Sequence, residues 1–456
     1  MGEGMTAVNE QAARRTVVVG LGDSGFACVR HLQAAGGQVT VLDTRQRPPH
    51  ADRLGQDYPS VPGYFGGLPT DWLTGADQVV LSPGIDPRLP ALQPVFEAGI
   101  PVIGEIELFA RSVNAPVIAV TGSNGKSTVT TMLGAMAEAA DVPAAVGGNL
   151  GPPALDLLHQ QPHAPLFILE LSSFQLETTQ SLRPTAAAVL NLSPDHLDRY
   201  DGVGDYADAK ARILEGAESA VLNADDPMVT GMAKSGQTTV WFSGRGSSRG
   251  TRWTLGGNPG DLWISRAGER FLPVAALAAS GRHNAVNAMA ALALGEAAGF
   301  SADAMCRALR EFRGLPHRME SLGQRRDRFW INDSKATNVG AAVAAVNSTD
   351  TPVVLIAGGD GKGQRFQALA EALQDGGRAA VVFGKDREAM AAALRAAAPV
   401  DQVTDLDEAV KRALALSRPG DTVLLSPACA SLDQFSSYEA RGVRFRELVE
   451  GLKDDD

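Results

Sequence analysis

Three times along this chain a short apolar strand runs into a glycine-bearing turn that opens a helix, and this recurring junction limits the fold more than any other feature. The first is Thr16-Val-Val-Val-Gly20-Leu-Gly22, followed by a helical stretch over 26–35 and a second strand over 38–42. Strand, helix and strand on short links imply parallel pairing, because the helix is the crossover that parallel strands need. Further strands over 78–81 and 101–103 carry this sheet to about residue 104. The second junction follows Pro116-Val-Ile-Ala-Val-Thr121, with a helix over 127–140 and apolar strands over 166–169, 186–190 and 220–222 alternating with helical stretches. Residues 237–275 differ: Gly, Arg, Ser and Trp in short alternating runs predict a small antiparallel hairpin region. An Ala-rich helix over 284–298 leads to Gly314-Leu315-Pro316, a domain junction. The third segment has strands over 329–331, 352–357, 379–383 and 422–425, separated by Ala-rich helices over 367–373 and 388–397. The expectation is an α/β protein with parallel sheets in domains 1–104, 105–314 and 315–456, and a length of 456 residues agrees with about three cores.

The second junction carries the chemistry most directly. Thr121-Gly-Ser-Asn-Gly-Lys126-Ser-Thr128 lies after a buried strand and opens a helix. Small residues there let backbone N–H groups converge on phosphate oxygens, and the helix N-terminus adds its positive end. Lys126 is placed to reach the β/γ-phosphates and the Ser127 hydroxyl a magnesium ion. The spacing departs from the usual phosphate loop in one respect: Val120 stands where the first glycine is expected. Alone, the loop indicates a nucleotide without indicating a reaction.

Gly20-Leu-Gly22-Asp-Ser-Gly25 is a second glycine loop after a strand, and Asp43 ends the next strand, as in a dinucleotide-binding fingerprint. It therefore admits an NAD-dependent dehydrogenase. A hydride-transfer enzyme has no need of a second, lysine-bearing phosphate loop, whereas a substrate carrying a nucleotide diphosphate would use this one. Ser82-Pro83-Gly84, another strand-end turn, either holds part of the same ligand or merely turns the chain.

Glu170 ends an apolar strand, the usual place for a metal-side acid beside a phosphate loop. His196, in Asn191-Leu-Ser-Pro-Asp-His196, follows another apolar strand and falls on the same sheet edge. Lys210, in Tyr206-Ala-Asp-Ala-Lys210, reads from its local sequence as a helix-surface lysine.

Charge and cysteine content remove several classes. A formal net charge of −11 opposes general binding to nucleic acid or anionic membrane, while leaving room for a local cationic pocket. Cys28, Cys306 and Cys429 are far apart without metal-type spacing, and read as reduced thiols. The first residues show no signal-peptide pattern and read as a frayed tail, residues 454–456 read as solvated charge, and no apolar run is long enough to cross a membrane. The expectation is a cytoplasmic monomer with no nucleic-acid partner and no membrane insertion.

Taken together, the loop at 121–128, the runs at 170–177 and 195–200, Gly314-Leu-Pro-His-Arg318, Asn332-Asp-Ser-Lys-Ala-Thr-Asn338, Gly358-Gly-Asp-Gly-Lys362 and the run from Leu425 to Phe435 resemble the Mur ligases, collinearly over nearly the whole chain. Within that family the likeness is to members that add glutamate to UDP-N-acetylmuramoyl-L-alanine. The resemblance implies a Rossmann-like N-terminal domain for the UDP-sugar, a central P-loop ATPase-like domain, and a Rossmann-like C-terminal domain for the amino acid. It implies ATP, two Mg²⁺ ions, and CO₂ as a carbamate on Lys210. It also implies an acyl phosphate formed on the alanyl carboxylate and then attacked by the glutamate amine.

Carried over residue by residue, the resemblance makes Lys126, Glu170, His196 and Lys210 catalytic, with Ser127, Glu170, His196 and the carbamylated Lys210 around metal. Gly122, Ser123, Asn124, Gly125, Lys126, Ser127 and Thr128 would hold ATP phosphates, His283, Asn284 and Asn287 its adenine side, and Arg318, Asp333 and Lys335 would close over it. Arg318 and Asp333 also read as an inter-domain ion pair. The UDP-substrate would meet Asp23, Ser24, Asp43, Thr44, Arg45, Ser82, Gly84, Asn149 and His196. Glutamate would meet Thr337, Lys362, Ser431, Leu432 and Tyr438, the last a departure from the expected phenylalanine. A sister ligase adding another amino acid such as L-glutamate, a folylpolyglutamate synthase, a nucleotide-regulated binding protein and the dehydrogenase are the alternatives. The intact Lys126, Glu170, His196 and Lys210 set favours catalysis, and the first-domain loop disfavours the folate enzyme.

Overall fold

Where each parallel sheet begins and ends is set by runs of residues that are buried on both faces. The computed structural model describes residues 14–196, 199–246, 250–258, 260–279, 281–349, 351–374 and 376–452. Strands β1 (Arg15–Val19), β2 (Gln38–Asp43), β3 (Gly63–Phe65), β4 (Gln78–Leu81) and β5 (Val102–Gly104) form an all-parallel sheet in the order β3-β2-β1-β4-β5. Val17, Val18 and Val19 alternate between its faces and all three are buried, as a parallel sheet covered by helices on both sides requires.

The central sheet has nine strands: β6 (Val117–Thr121), β7 (Ala144–Gly148), β8 (Leu166–Glu170), β9 (Ala186–Val189), β10 (Ser219–Asn223), β11 (Thr238–Ser243), β12 (Thr251–Asn258), β13 (Asp261–Arg266) and β14 (Glu269–Pro273). Their order is β14-β13-β12-β11-β10-β9-β6-β8-β7, which sets β6 between β8 and β9 at the middle of the parallel part. The antiparallel region expected over 237–275 exists as the meander β12-β13-β14. It is not a separate patch, because β11 pairs in parallel with both β10 and β12 and so joins it to the central sheet.

The third sheet contains β15 (Glu320–Arg325), β16 (Arg328–Asn332), β17 (Val353–Gly358), β18 (Gly377–Phe383), β19 (Val400–Gln402) and β20 (Thr422–Leu425), ordered β15-β16-β20-β17-β18-β19. All its pairings are parallel except β15 with β16, an antiparallel edge. The three sheets make three α/β domains, as the sequence leads one to expect.

One hydrophobic cluster spans the first two sheets, joining Val18, Phe26, Val41 and Ile103 to Leu155, Phe167, Leu169 and Ala187. The helix Glu105–Ser112 lies in it and packs against both Asp23–Ala34 and Ala154–Gln160. The clusters of the third sheet contain no residue before Met319. Among the described residues no helix is long and apolar enough to cross a membrane. The first residues, 454–456, and Leu197 and Asp198 of the run at 195–200 lie outside the described residues.

Candidate functional site

At the end of β6 the chain makes the phosphate loop and enters the helix Lys126–Ala139. Val120, in the place of the usual first glycine, is a core residue of β6 in register with Glu170 and Ala188. Gly125 turns the chain at φ +83°, and a Cβ there would stand 2.5 Å from Asn287 Oδ1, so both the conformation and the space require glycine. Asn191 clamps the loop, accepting from the Asn124 N–H at 2.8 Å and donating to its carbonyl at 3.0 Å. The Lys126 ammonium lies folded onto the carbonyls of Gly122 (2.9 Å) and Ser123 (3.1 Å). Burial lowers its pKa, and the charge of Arg318 adds to that, while Glu170 and Asp195 oppose it.

Glu170 ends β8 directly beside the loop. Its carboxylate accepts from the Ser127 hydroxyl and, at 2.7 Å, from Asn149 Nδ2. Burial works against the charge, but Lys126, Ser127, Asn149 and Arg318 outweigh it and hold the carboxyl below its ordinary range. The turn after Glu170 is locked by a capping box, in which Ser172 and Gln175 bond each other's backbone N–H groups. His196 sits at φ +53°, its ring edge-on to Phe174 with centroids 4.7 Å apart. Lys210, read from local sequence as a surface lysine, is 1% exposed. Its Nζ donates to the Gly122 carbonyl at 2.9 Å and lies 4.7 Å from the Tyr206 ring. Burial first, and then the charge of Lys126, push its pKa well down, which favours the neutral, nucleophilic amine.

These groups line one cavity of about 280 Å³, together with Ser123, Asn149, Arg318, Lys335, Thr337 and Asn338. A neighbouring cavity, also about 280 Å³, is bounded by Asn124, Gly125 and Thr128 of the loop, by His283, Asn284 and Asn287, and by Arg318, Asp333 and Lys335 across the domain seam. Burial lowers the His283 pKa to about 4, leaving its ring neutral near pH 7. Arg318 and Asp333 do not form the inter-domain ion pair expected of them. Both belong to the third domain; Arg318 donates across the seam to Ser127 Oγ at 2.6 Å, while Asp333 accepts from Ser426 Oγ (2.8 Å) and Met319 N (3.1 Å). Burial pushes the Asp333 carboxyl up to about 7 despite those bonds.

A third cavity of about 510 Å³ lies at the C-terminal edge of the first sheet, lined by Asp23, Ser24, Thr44, Arg45, Ser82, Gly84 and Asn149. A Cβ on Gly25 would come within 1.9 Å of the Gly20 carbonyl oxygen, which explains the loop's third glycine. The Asp43 carboxylate is fully buried beneath this cavity, with its oxygens taken by Leu21 N, Arg45 N and the Arg45 guanidinium. Asp43 does not line the cavity in this structure, whereas the neighbouring Thr44 and Arg45 do. Asn149 lines both this cavity and that of Glu170, so the two lie side by side.

The residues expected around glutamate are less drawn together. Thr337 lines the phosphate-loop cavity. The Asp360–Ala430 backbone bridge brings the turn of Lys362 beside that of Ser431, with Lys362 and Leu432 exposed. Tyr438 carries Lys335 over its ring at 3.8 Å.

Among the described residues no three His, Cys, Asp or Glu side chains form a metal cage. Magnesium needs none: one or two protein oxygens suffice when nucleotide phosphates and water complete its shell. The touching Ser127 hydroxyl and Glu170 carboxylate at the phosphate loop fit that requirement.

Comparison with known proteins agrees with this geometry. Residues 14–104 match the family model "Mur ligase MurD-like, N-terminal domain", residues 120–295 "Mur ligase middle domain" and residues 317–429 "Mur ligase, glutamate ligase domain". The chain is 48% identical over 444 residues to the UDP-N-acetylmuramoylalanine–D-glutamate ligase of Chromohalobacter salexigens, covering 96% of this chain and 97% of that one. It is 46% identical over 440 residues to the protein of the same name from Pseudomonas aeruginosa, covering 96% and 98%. Among solved structures, the UDP-N-acetylmuramate–alanine ligase of Thermotoga maritima shares the fold at a TM-score of 0.59 and 19% identity, covering 96% of this chain and 100% of that one.

Proposed function

Because this chain belongs to the Mur ligase family, we propose that it is a D-glutamate-adding member, an ATP-dependent ligase acting on UDP-N-acetylmuramoyl-L-alanine in peptidoglycan precursor synthesis and releasing ADP and phosphate. The observation that carries the reading is that two adjacent cavities share Asn149, one bounded by the N-terminal glycine loop and the other by the phosphate loop. A substrate with a nucleotide at one end and a carboxylate at the other spans them.

The chemistry follows from the poor electrophilicity of a carboxylate. The alanyl carboxylate attacks the γ-phosphate of ATP, a P–O bond forms and ADP leaves. The glutamate amine then attacks the acyl carbon, and phosphate departs from the tetrahedral adduct. Negative charge gathers on oxygen in both steps, so fixed cations lower both barriers. Lys126 leaves the loop carbonyls for the β/γ-phosphates, and Arg318 approaches the transferring group from the opposite domain. Asn149 orients Glu170 and faces the substrate, and neutral His283 with Asn284 and Asn287 receives the adenine side. Ser24, Thr44, Arg45, Ser82 and Gly84 take the uridine diphosphate. Thr337, Lys362, Ser431, Leu432 and Tyr438 take glutamate, Lys362 supplying the cation a dicarboxylate needs.

The family uses magnesium, and Ser127 with Glu170 would hold it. When bound, it offsets charge on the phosphate oxygens. A second ion would take His196 and a carbamate on Lys210, formed when the buried neutral amine adds to CO₂, making an N–C bond and losing a proton to water. The burial of Lys210, which pushes its pKa well below the ordinary lysine value, supports that addition.

Phosphate release from ATP, measured with UDP-N-acetylmuramoyl-L-alanine and each glutamate enantiomer in turn, tests the assignment. D-glutamate is expected to stimulate release; stimulation by neither enantiomer would overturn it. Lys210→Ala is expected to lose activity and regain part of it with a short-chain carboxylate, and absence of recovery would remove the carbamate.

A further inference from the structure

One buried charge outside the residues assigned above connects the first domain to the edge of the phosphate-loop cavity. Arg199 follows His196 by three residues and is 9% exposed. Its Nη1 donates at 2.9 Å to the carbonyl of Pro83, which lies 116 residues away in the strand-end turn of the first sheet. Its Nη2 donates to Glu177 Oε2 at 2.5 Å, and its guanidinium carbon lies 4.1 Å from the centroid of the Phe174 ring. Phe174 in turn stands edge-on to His196 and lines the phosphate-loop cavity. The second oxygen of Glu177 accepts from the Tyr200 hydroxyl, which fixes the carboxylate that fixes the arginine.

An ordinary ion pair would need only Glu177. Here one rigid planar group uses its two amino ends on different domains and its face on an aromatic ring, a combination that a flexible ammonium cannot reproduce. Pro83 has Ser82 on one side and Gly84 on the other, both lining the cavity at the first sheet's edge. We infer that Arg199 is a positioning residue for the reaction: through Pro83 and Phe174 it sets the spacing between the uridine end of the substrate site and the His196 side of the phosphoryl-transfer site. The inference rests on reading Ser82 and Gly84 as contacts of the nucleotide handle. A substrate held at both ends has its reacting carboxylate placed by that spacing, and a small slip at one end costs rate at the other.

The test compares wild type, Arg199→Lys and Arg199→Met in phosphate release, varying UDP-N-acetylmuramoyl-L-alanine at saturating ATP and D-glutamate, and then ATP at saturating partners. Arg199→Lys keeps the charge, and is expected to raise KM for the UDP-substrate about tenfold and lower kcat with KM for ATP unchanged, the size expected for losing one charge-assisted bond. Arg199→Met is expected to do so more strongly. Should Arg199→Met fail to fold, Arg199→Lys decides. Wild-type KM for the UDP-substrate in Arg199→Lys overturns the inference, and so does a KM for ATP that rises in step, which would mean general loosening. Absence of activity in the wild type itself would instead overturn the functional reading, and this inference with it.

Discussion

The seam between the first and central domains and the seam between the central and third domains are made of different materials. A single apolar cluster runs through the first, and its polar bonds are buried or paired: Arg199 Nη1 donates to the Pro83 carbonyl at 2.9 Å, Gly104 N to the Thr178 carbonyl at 3.1 Å, and Arg30 meets Asp156 at 2.8 Å. Across the second seam the contacts are polar side chains at the catalytic cavity. Arg318 reaches Ser127, Asn338 Nδ2 reaches Asp195 at 3.1 Å, and Gly340 packs where a Cβ would stand 2.8 Å from Ser193 Oγ. Separating the first seam would expose apolar surface at about 25 cal/mol per Å², whereas the second exchanges hydrogen bonds for water at little net cost. The difference implies a division of labour. On the proposed reading, the first seam holds the uridine and phosphoryl sites at a fixed spacing, and the second is the seam that costs less to open.

The largest expected effect is at the polar seam and is catalytic. Arg318→Met removes the cation proposed to face the transferring group and should lower turnover about 10²–10³-fold, or about 3–4 kcal/mol, with the melting temperature unchanged. A matching loss of thermal stability would show that this seam carries structural weight and would break the comparison. At the apolar seam the effects should fall on stability. Glu107 is buried and accepts from Gln180 N, Ser181 N, Ser181 Oγ and Arg111, so Glu107→Ala strands buried donors and should cost about 3 kcal/mol in urea unfolding, with ATP affinity preserved.

Glu105 sharpens the comparison through pH. Burial raises its carboxyl from 4.5 to about 7 in the folded protein, opposed by the bonds from Leu155 and Ala154. The folded state therefore binds this proton more tightly than the unfolded chain. The associated destabilisation is absent below pH 4.5, grows as pH rises towards 7, and is complete above it. Glu105→Gln keeps an acceptor for Leu155 and should gain about 3 kcal/mol above pH 7 and nothing below pH 4.5, read from denaturation at the two extremes. An equal gain at both would locate its effect in packing instead. The smallest effect belongs to Asn338, whose Oδ1 caps the helix Val339–Val346 while its Nδ2 crosses to Asp195. Asn338→Ala should cost about 1 kcal/mol through the lost cap, with the loss confined to third-domain amides in hydrogen exchange.

Much of the site was legible because its signals are local. The loop at 121–128 and the glycines at 20–25 stand at strand ends where φ and close approach dictate residue type, and Glu170 was placed by ending an apolar run. Lys210 was not legible from its own surroundings: its helix gives no sign that Tyr206 and the Gly122 carbonyl enclose the amine. Its role came from resemblance alone. Asp43 reads as a ligand contact because it ends a strand at the expected distance, yet in this structure its oxygens bond Leu21 N, Arg45 N and the Arg45 guanidinium. Nothing between residues 196 and 200 announces the bond of Arg199 to residue 83. Residues 237–275 showed their hairpin character but not their place, because pairing between β10, β11 and β12 joins segments whose sequences do not specify each other.

By itself, then, the sequence determined that this chain builds parallel α/β sheets, that it has two glycine loops at two strand ends, and which family it resembles, since periodicity, turn chemistry and motif spacing are properties of neighbouring residues. Only the tertiary structure decided that two cavities share Asn149, that Lys210 is buried with its pKa pushed down, that Arg318 spans a polar seam, and that Arg199 bonds Pro83 across an apolar one. Those outcomes depend on desolvation and on distances between groups far apart in the chain, and no local pattern encodes either.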